Sequence, residues 1–419
     1  MPLKPKILMF APIFIPMGNP EAIVNANLVS AMLQAGWDVD IVTCPEKKRW
    51  HAESLHWYPE SARQWKDVHD HIYNVDFLPA TVSNRLLSII GLFLMCRQTA
   101  GGGRWAIPAA RVAGRLASLN GYDVIISRCL PPEAHLAAFI TASKTGIPWI
   151  ANWNDPPSCM APKPYWRGKE GRMGIRERKF YRAMAKQASW HTFPCERLRS
   201  YICGYLPDGV IDRSSVIPHL APGPYPQKRM KGPKFTLLYA GSLYPPRDPG
   251  NFLRGVRIFL DRAGADISVR FVTNKPDMIK AVINEFALER FACAGPAIPH
   301  EELPFVLAEA EVLVIIEPDM EEGIFLPSKL ADYVRTGRPV LAVSPKTGTL
   351  SDILAKHGGG LAVDCSRPEA IAKGIAVLYE SWLEGSIEER FSSGRLIKMY
   401  DKDAVLGGYM GIFYKLGIK

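Results

Sequence analysis

The segment FTLLYAGSLYPPRDPGNFLRGVRIFL, residues 235–260, contains the structural unit from which the rest of the fold follows. Its first six residues are almost all apolar and predict a buried strand over 235–240. A loop begins at Gly241, and large apolar residues then recur at helical spacing between 252 and 260. A buried strand, a loop and an amphipathic helix in this order are typical of a parallel sheet covered by helices.

The same alternation runs through the whole chain. Further strands are predicted at residues 7–10, 38–43, 123–127, 148–153, 268–273, 311–316 and 339–343. Helices are predicted between them, in the first half at 84–97, 107–118, 132–144 and 173–187. Residues 220–234 are rich in Pro, Gly and Lys, as expected at a domain boundary. We therefore expect an α/β protein of two doubly wound, Rossmann-like domains, residues 1–222 and 223–395, followed by a C-terminal segment, 396–419.

The composition excludes several classes of protein. The chain has 419 residues, of which 47% are hydrophobic and 22% charged, as in ordinary globular proteins. Its eight cysteines are scattered without C-x-x-C or zinc-finger spacing, which argues against a disulfide scaffold or a structural zinc site and suits the cytoplasm. Because no run of about 18 apolar residues occurs, we expect no membrane-spanning helix.

The charge is strongly basic, with 51 Lys and Arg against 41 Asp and Glu, a net +10. Such a balance suits a nucleic acid, an anionic membrane or a phosphorylated substrate. No zinc-finger, basic-helix or aromatic RNA-binding pattern accompanies it, so we expect no nucleic-acid partner. The apolar run Leu86–Cys96, flanked by Arg85 and Arg97, is more typical of a core helix than of a helix lying on a membrane surface.

Two loops carry residues suited to binding phosphate. In the loop that begins at Gly241, Arg247 precedes Asp248, a candidate helix cap, and Pro249. Glycine lets a backbone approach a ligand closely, and arginine can bind a phosphate with two parallel hydrogen bonds. The alternative is an ordinary turn with a surface arginine.

The second loop leads into the segment IFLPSKLADYVRTGRPVLA, residues 324–342. Ser328 is predicted to cap a helix that ends at Gly337. Lys329 and Asp332 are three residues apart and therefore share a face near the positive end of the helix dipole. A cation for a diphosphate and a carboxylate for two ribose hydroxyls fit that placement.

This segment resembles the nucleotide-sugar signature of glycosyltransferase family 4, in which a PSKL-x-E-Y-x-x-x-G-x-PV pattern is common. The resemblance extends over nearly the whole chain, including the opening strand and glycine turn around Gly18, YAGSLYPPRDP, GPAIPHEELPFVLAEAEVLVI and GGGLAVDCSRPEAIAKGI. The stretch YDVIISRCLPPEAHLAAFITASKTGIPWIANWNDPPS is similar to members that build bacterial surface polysaccharides.

The resemblance implies a GT-B fold, in which two Rossmann-like domains face each other across a cleft. It implies that the nucleotide sugar binds the C-terminal domain, that the acceptor binds the N-terminal one, and that residues 396–419 pack back on the N-terminal domain. No metal or other cofactor is expected. The donor-binding residues that the resemblance implies are Gly18, Asn19, Gly241, Ser242, Arg247, Pro296, Ile298, Ser328, Lys329 and Asp332.

Within that set, Arg247 and Lys329 match the basic residues that hold the diphosphate, and both are also assigned to catalysis. Asp332 matches the second, ribose-binding acid of a Glu–seven–Glu motif, and the backbone around Pro296–Ile298 matches the site of the base. Gly18 matches the turn that closes over the phosphates, with Asn19 beside it. The sequence departs from the family pattern in three places. Ser242 replaces a frequent arginine, the second acid is Asp332 and not the longer Glu, and the first acid falls on Ile324. Glu321 and Glu322 are loosely placed substitutes for that acid.

Asp155, in ANWNDPPS, follows a predicted strand and is the remaining catalytic candidate. It could orient or deprotonate an acceptor hydroxyl, or serve only as a turn aspartate before two prolines. The histidines His191, His219 and His300 are each more typical of structural residues.

The expected activity is transfer of a sugar, with retention, from a nucleoside-diphosphate sugar to a hydroxyl of a lipid-linked glycan, in capsule, O-antigen or exopolysaccharide synthesis. The expected location is the cytoplasm, with possible peripheral contact to the inner face of the cell membrane. A catalytically inactive scaffold partner is the alternative. A sugar-nucleotide epimerase or a phosphorylase on the same fold is a further one.

Overall fold

The computed structural model describes residues 4–44, 56–57, 60–96, 101–165, 172–221, 223 and 232–418. Two compact units divide the chain. The first, unit 1, comprises Met1–Pro162, Trp166–Leu220 and Lys402–Lys419, and the second, unit 2, comprises Lys163–Tyr165 and Ala221–Asp401. The divisions after 220 and 401 lie close to those placed in the sequence after 222 and 395. The sequence also contains a run rich in Lys and Arg, RGKEGRMGIRERKFYR at 167–182, whose first residues, 167–171, lie outside the described residues.

The strands of unit 1 alternate with helices along the chain. Its strands are β1 (Lys6–Phe10), β2 (Met17–Gly18), β3 (Asp38–Thr43), β4 (His56–Trp57), β5 (Ile72–Asn74), β6 (Val124–Cys129), β7 (Trp149–Trp153), β8 (Trp190–Phe193) and β9 (Ser214–Val216). Its helices are α1 (Pro20–Gln34), α2 (Val82–Cys96), α3 (Gly103–Asn120), α4 (Glu133–Thr145), α5 (Arg172–Gln187) and α6 (Glu196–Cys203), with single 3₁₀ segments at Glu60–His71, Ser158–Met160 and Ile211–Arg213.

Unit 2 repeats the same pattern. Its strands are β10 (Phe235–Ala240), β11 (Ile267–Thr273), β12 (Ala292–Pro296), β13 (Val312–Ile316), β14 (Val340–Ser344) and β15 (Gly360–Asp364). Its helices are α7 (Gly250–Ala263), α8 (Pro276–Glu285), α9 (Leu303–Ala308), α10 (Lys329–Arg335), α11 (Thr349–His357), α12 (Pro368–Leu383), α13 (Ile387–Arg390) and α14 (Gly394–Tyr400). The last helix, α15 (Lys402–Lys415), belongs to unit 1, where Phe413 packs on Trp37 with ring centroids 5.5 Å apart.

Each unit contains one fully parallel sheet, so the predicted fold class is confirmed. The strand order is β5-β3-β1-β6-β7-β8-β9 in unit 1 and β12-β11-β10-β13-β14-β15 in unit 2. In each unit the chain starts in the middle of the sheet, winds to one edge and then returns to fill the other edge. The order therefore reverses between β1 and β6 and between β10 and β13. Ligands of doubly wound sheets bind at such reversals, beyond the carboxyl ends of the strands.

Alternate apolar side chains, which lie on one face of each sheet, form a buried core cluster in each unit. In unit 1, Ile7, Val39 and Val124 lie on three adjacent strands and are fully buried. In unit 2, Leu237 and Val269 are joined by Phe252 of α7. These are the near-continuous apolar strands that made the sheets predictable.

Three expectations were wrong in local detail. The sequence did not predict β8, β9, β12 or β15, which are short or contain several polar or glycine residues. Gly18 does not form a turn, because Met17 and Gly18 pair antiparallel with Trp57 and His56. The apolar helix α2 is not a core helix, since most of its large side chains are exposed. No helix within the described part of the chain combines the length and apolarity needed to cross a bilayer.

Candidate functional site

The site is built where the strand order of unit 2 reverses. The loop after β10 begins at Gly241, and β13 is followed directly by Glu317. These two strands are neighbours, so both loops leave the same edge of the sheet. The sheet thus places a glycine loop and a buried carboxylate side by side at the position where doubly wound folds bind ligands.

Helix α10 is attached to the end of β10 by one tyrosine. The Tyr333 hydroxyl donates to the Ala240 carbonyl and accepts from the Ala240 N–H, each at 2.9 Å. This fixes the first residue of α10, Lys329, over Gly241. Gly241 has a φ of +138°, and a Cβ there would lie 2.8 Å from Lys329 Nζ. The glycine is therefore needed both for its backbone conformation and for the space that the lysine occupies.

Three charged side chains meet in this space. Arg247 Nη2 lies 3.0 Å from Glu317 Oε1, and the two side chains are only 12% and 7% exposed. The ammonium group of Lys329 lies 4.0 Å from the centre of the Tyr239 ring. Within the described residues, Arg247 Nε and Lys329 Nζ are buried and make no hydrogen bond. Buried donors of this kind are costly unless they bind something.

Burial also shifts the protonation of the cluster. Burial and, to a lesser extent, the Arg247 charge lower the pKa of Lys329 to about 7, against the opposing effects of Glu317 and Asp332. Burial raises the pKa of Glu317 above its ordinary value, and the charges of Arg247 and Lys329 oppose this increase. The lysine is thus about half protonated at pH 7, and an additional anion would favour its protonated form.

Asp332 lies one turn along α10 from the lysine and close to another loop. Its Oδ1 is 3.8 Å from Nε2 of His300, in the loop that follows β12. Pro296, the last residue of β12, is exposed, and Ile298, in the loop, is half-buried. The structure therefore brings Gly241, Arg247, Lys329 and Asp332 together with His300, a residue expected to be merely structural.

Helix caps differ from those predicted. Ser328 occupies the N-cap position of α10, but its side chain makes no capping bond. The reason is its helical backbone, φ −56° and ψ −33°, whereas a capping side chain needs an extended residue. Asp248 does accept a hydrogen bond from Gly250 N at 2.9 Å, although Pro249 is the N-cap of α7 and not its first helical residue. Ser242 takes part through its carbonyl, which accepts from the Tyr239 hydroxyl at 2.9 Å.

The sequence analysis did not identify Glu317, the acidic residue that pairs with Arg247. Counting back from Asp332 led to Ile324, which is buried in the core, and to Glu321 and Glu322, which are exposed. Glu317 is the buried carboxylate instead. Its signal was present, since an acid directly after the apolar strand residues 312–316 must lie at the binding edge of a parallel sheet.

Unit 1 has a polar cluster of its own at the corresponding edge. Asn154 donates to both carboxylate oxygens of Glu21 at 2.8 Å, and Arg128 donates to Asn25 at 2.6 Å. Burial raises the pKa of Glu21, an effect that Arg128 opposes. Asp155 follows Asn154 in the loop after β7 and is half-buried. Glu21, Asn154 and Arg128 are polar residues that sequence reasoning missed.

The two other unit 1 candidates lie at the start of α1. Gly18 ends the short strand β2, and Asn19 is the N-cap of α1, where its side chain accepts from Glu21 N at 2.7 Å. The Asn19 side-chain oxygen is therefore already used in capping.

One group in the described part of the chain has metal-ligand spacing. Ligand atoms of Asp38, Asp40 and His71 lie within 4.8 Å of one another in unit 1. Lys6 pairs with Asp38 at 2.9 Å, and the Tyr122 hydroxyl donates to Asp40. Both carboxylates therefore have protein partners.

The fold is similar to those of several solved proteins. HepE of Anabaena, in complex with UDP and glucose, matches over 99% of both chains with a TM-score of 0.66 and 12% identity. Sucrose-phosphate synthase of Thermosynechococcus elongatus matches over 99% of both chains with a TM-score of 0.64 and 13% identity. A putative UDP-N-acetylglucosamine 2-epimerase of Listeria monocytogenes matches over 99% of this chain and 98% of its own, with a TM-score of 0.58 and 10% identity.

No protein-family model matches the sequence, and comparison with curated protein sequences finds no match. At such low identity the structural similarity establishes the fold alone. The chain thus has a GT-B-type fold, with two Rossmann-like domains that each contain one parallel sheet.

Proposed function

We propose that this protein is a glycosyltransferase that uses a nucleoside-diphosphate sugar as donor. The observation that carries the proposal is the buried pair Arg247 and Lys329, whose Nε and Nζ make no hydrogen bond among the described residues. The pair lies at the strand-order reversal of a doubly wound sheet. A diphosphate would supply acceptors to both groups and complete a charge cluster that is unfavourable without it.

The charges of the cluster fit a dianionic ligand. The charges of Arg247 and Glu317 largely offset each other at 3.0 Å, and Lys329 is about half protonated at pH 7. A diphosphate diester carries two negative charges. One would be balanced by Lys329 as it takes up a proton, and the other would accept a hydrogen bond from Arg247 Nε, which has no acceptor among the described residues. Gly241 allows the backbone to approach the same phosphates.

The rest of the donor would lie along unit 2 from this point. Asp332 offers a carboxylate to the two ribose hydroxyls, and the backbone at Pro296–Ile298 offers hydrogen bonds to the base, as the family 4 resemblance implies. The 3.8 Å approach of His300 to Asp332 supports this arrangement, because it brings the base-binding and ribose-binding segments together. Ser242 and Ser328 line the same loops.

In the reaction we propose, the bond between the sugar C1 and the diphosphate oxygen breaks and the electron pair leaves with the diphosphate. Arg247 and Lys329 stabilise the charge that develops there. The acceptor oxygen forms its bond to C1 on the face from which the diphosphate leaves, and this gives retention. The proton of the acceptor hydroxyl passes to the departing phosphate oxygen. Asp155 orients the acceptor hydroxyl. We propose a lipid-linked glycan as acceptor, in bacterial polysaccharide synthesis at the inner face of the cell membrane.

The activity is tested with UDP-glucose as a first donor probe and a glycolipid extract of bacterial membranes as acceptor. The expected result is release of UDP together with a new glycosidic bond of the same anomeric configuration as the donor, measured by NMR. Arg247→Met should abolish the reaction, whereas Arg257→Met, which removes a surface arginine paired with Asp261, should not. Repeating the assay with GDP- and ADP-sugars covers the other bases.

Two outcomes would contradict the proposal. Nucleotide binding without turnover with any donor and acceptor would favour a scaffold partner. Conversion of a sugar nucleotide to its epimer without transfer to an alcohol would favour an epimerase, an activity named for one protein of similar fold.

A further inference from the structure

Helix α2 carries its apolar residues on the outside of the molecule. Ser88 and Leu92 are buried, the leucine close to Gly103 of α3, where a Cβ would lie 2.9 Å from Leu92 Cδ1. The opposite face presents large aliphatic side chains that are between 46% and 74% exposed. They are Val82, Leu86, Leu87, Ile89, Ile90 and Leu94.

These six side chains form one continuous surface. At 100° per residue they span an arc of about 160° around the helix axis, and the only other residue in the arc, apart from Phe93, is Ser83. Arg85 is the nearest charge and lies at the edge of the arc. A surface helix of a globular protein normally directs such a stripe inward. An exposed apolar patch of this kind marks a surface that binds something.

The surrounding helices are strongly basic. Helices α2 to α5 pack on one another in sequence, and together they contain eleven Lys or Arg and two Glu, a formal charge of +9 within a chain of net charge +10. Several of these cations are exposed. They include Arg85, Arg111, Arg115, Lys144, Arg178 and Lys179.

We propose that the outer face of α2 inserts into the headgroup region of an anionic lipid bilayer, with the exposed Arg111 and Arg115 of the neighbouring helix α3 contacting lipid phosphates. Aliphatic residues on one face and cations around it are the properties of a helix that lies in the membrane interface. Association with a second copy through this face would bring two strongly positive surfaces together. A helix of 15 residues is also too short to cross the bilayer.

The inference deepens the proposed function, because a lipid-linked acceptor lies at such a membrane surface. It is tested without any acceptor or donor, so that the membrane contact and the transferase activity fail independently. The full-length protein is mixed with vesicles of equal parts phosphatidylcholine and phosphatidylglycerol, or of phosphatidylcholine alone, and bound protein is measured by flotation. We expect binding to the anionic vesicles that weakens as salt is added.

Two variants separate the apolar and the charged contributions. Leu86→Gln/Ile90→Gln should weaken binding to the anionic vesicles by at least about tenfold, whereas Met278→Gln/Phe305→Gln, which changes two exposed apolar residues of unit 2, should not. Arg111→Gln/Arg115→Gln, at two exposed positions of α3, should weaken it by about fivefold per charge and leave binding to phosphatidylcholine unchanged.

Several results would overturn the inference. Wild-type protein that stays unbound at low salt would do so, as would a Leu86→Gln/Ile90→Gln variant that floats as well as the wild type. A wild-type dimer that this double variant dissociates would assign the face to self-association instead. A far-UV circular dichroism spectrum and a urea unfolding midpoint equal to those of the wild type show that the variant is folded, and neither depends on the proposed function.

Discussion

The ammonium group of Lys329 lies 4.0 Å from the centre of the Tyr239 ring, in a space closed on another side by Gly241. The ring face stabilises a cation only in part. Burial and the neighbouring Arg247 prevail, and they lower the pKa of the lysine to about 7. The relationship gives the protein a buried amine whose charge depends on whether an anion is bound beside it.

The fit of Lys329 over Gly241 predicts the effect of adding one methyl group. In Gly241→Ala the new Cβ would lie 2.8 Å from Nζ, so the lysine must move away from the phosphate position. We expect UDP-glucose affinity to fall by about tenfold or more, as for the loss of one charged hydrogen bond. Isothermal titration calorimetry measures this directly.

A matched variant controls for backbone strain. Gly264, which follows α7, also has a positive φ, +55°, but no atom would lie within 4 Å of its Cβ. Gly264→Ala should therefore lose stability of about 1–2 kcal/mol and keep its affinity. Equal loss of binding in the two variants would show that strain, and not displacement of the lysine, is responsible.

The protonation of Lys329 predicts proton uptake on binding. The free protein holds its pKa at about 7, and a bound diphosphate raises it, so that at pH 7 about half a proton is taken up with UDP-glucose. Affinity should be constant well below pH 7 and fall as the pH rises above it, by up to about tenfold per unit. Calorimetry in two buffers of different ionisation enthalpy measures the uptake. Lys329→Met should abolish it, and uptake that persists in this variant would assign the proton to another group.

Removal of Arg247 alone and removal of the whole Arg247–Glu317 pair should affect stability differently, although both should abolish nucleotide binding. Arg247→Met leaves a buried carboxylate without its partner and should cost about 3–5 kcal/mol, measured by urea unfolding. Arg247→Met/Glu317→Gln removes both charges and should recover most of that loss, yet it should not bind UDP-glucose. A double variant that binds normally would mean that Arg247 acts only in folding.

The position of Asp332 predicts discrimination between riboses. If its carboxylate holds the ribose hydroxyls, Asp332→Ala should weaken UDP binding by about tenfold or more and hardly change the binding of a UDP analogue that lacks both hydroxyls. Calorimetric titration with the two ligands checks this. Similar losses with both would place the role of Asp332 in holding His300, 3.8 Å away, and not in binding ribose.

Much of the fold could be predicted because its central strands are apolar runs bounded by loops. Phe235–Ala240 was predicted to the residue, and the strands beside it were placed within one or two residues. Strands at the sheet edges were missed. Gly360–Asp364, for example, is half-buried throughout and ends in a charged residue, so its composition does not distinguish it from a loop.

The site was only partly predictable because side chains converge through the fold and not through spacing in sequence. Lys329 and Asp332 could be paired from the helix period, but the approach of Glu317 to Arg247 spans 70 positions and depends on β10 and β13 being neighbours. The exposure of α2 could not be predicted either, because an apolar run of eleven residues has the same composition in a core helix and in a helix on a membrane-binding surface.

The central claim is that Arg247 and Lys329 bind the diphosphate of a nucleotide. Calorimetric titration of UDP, GDP and ADP into wild type, Lys329→Met and Lys280→Met tests it most directly, since Lys280 is an exposed lysine of the same unit paired with Asp277. We expect one of the nucleotides to bind the wild type and Lys280→Met equally, and Lys329→Met at least about tenfold more weakly. Binding that Lys329→Met leaves unchanged, or no binding of any nucleotide to the wild type, would contradict the account.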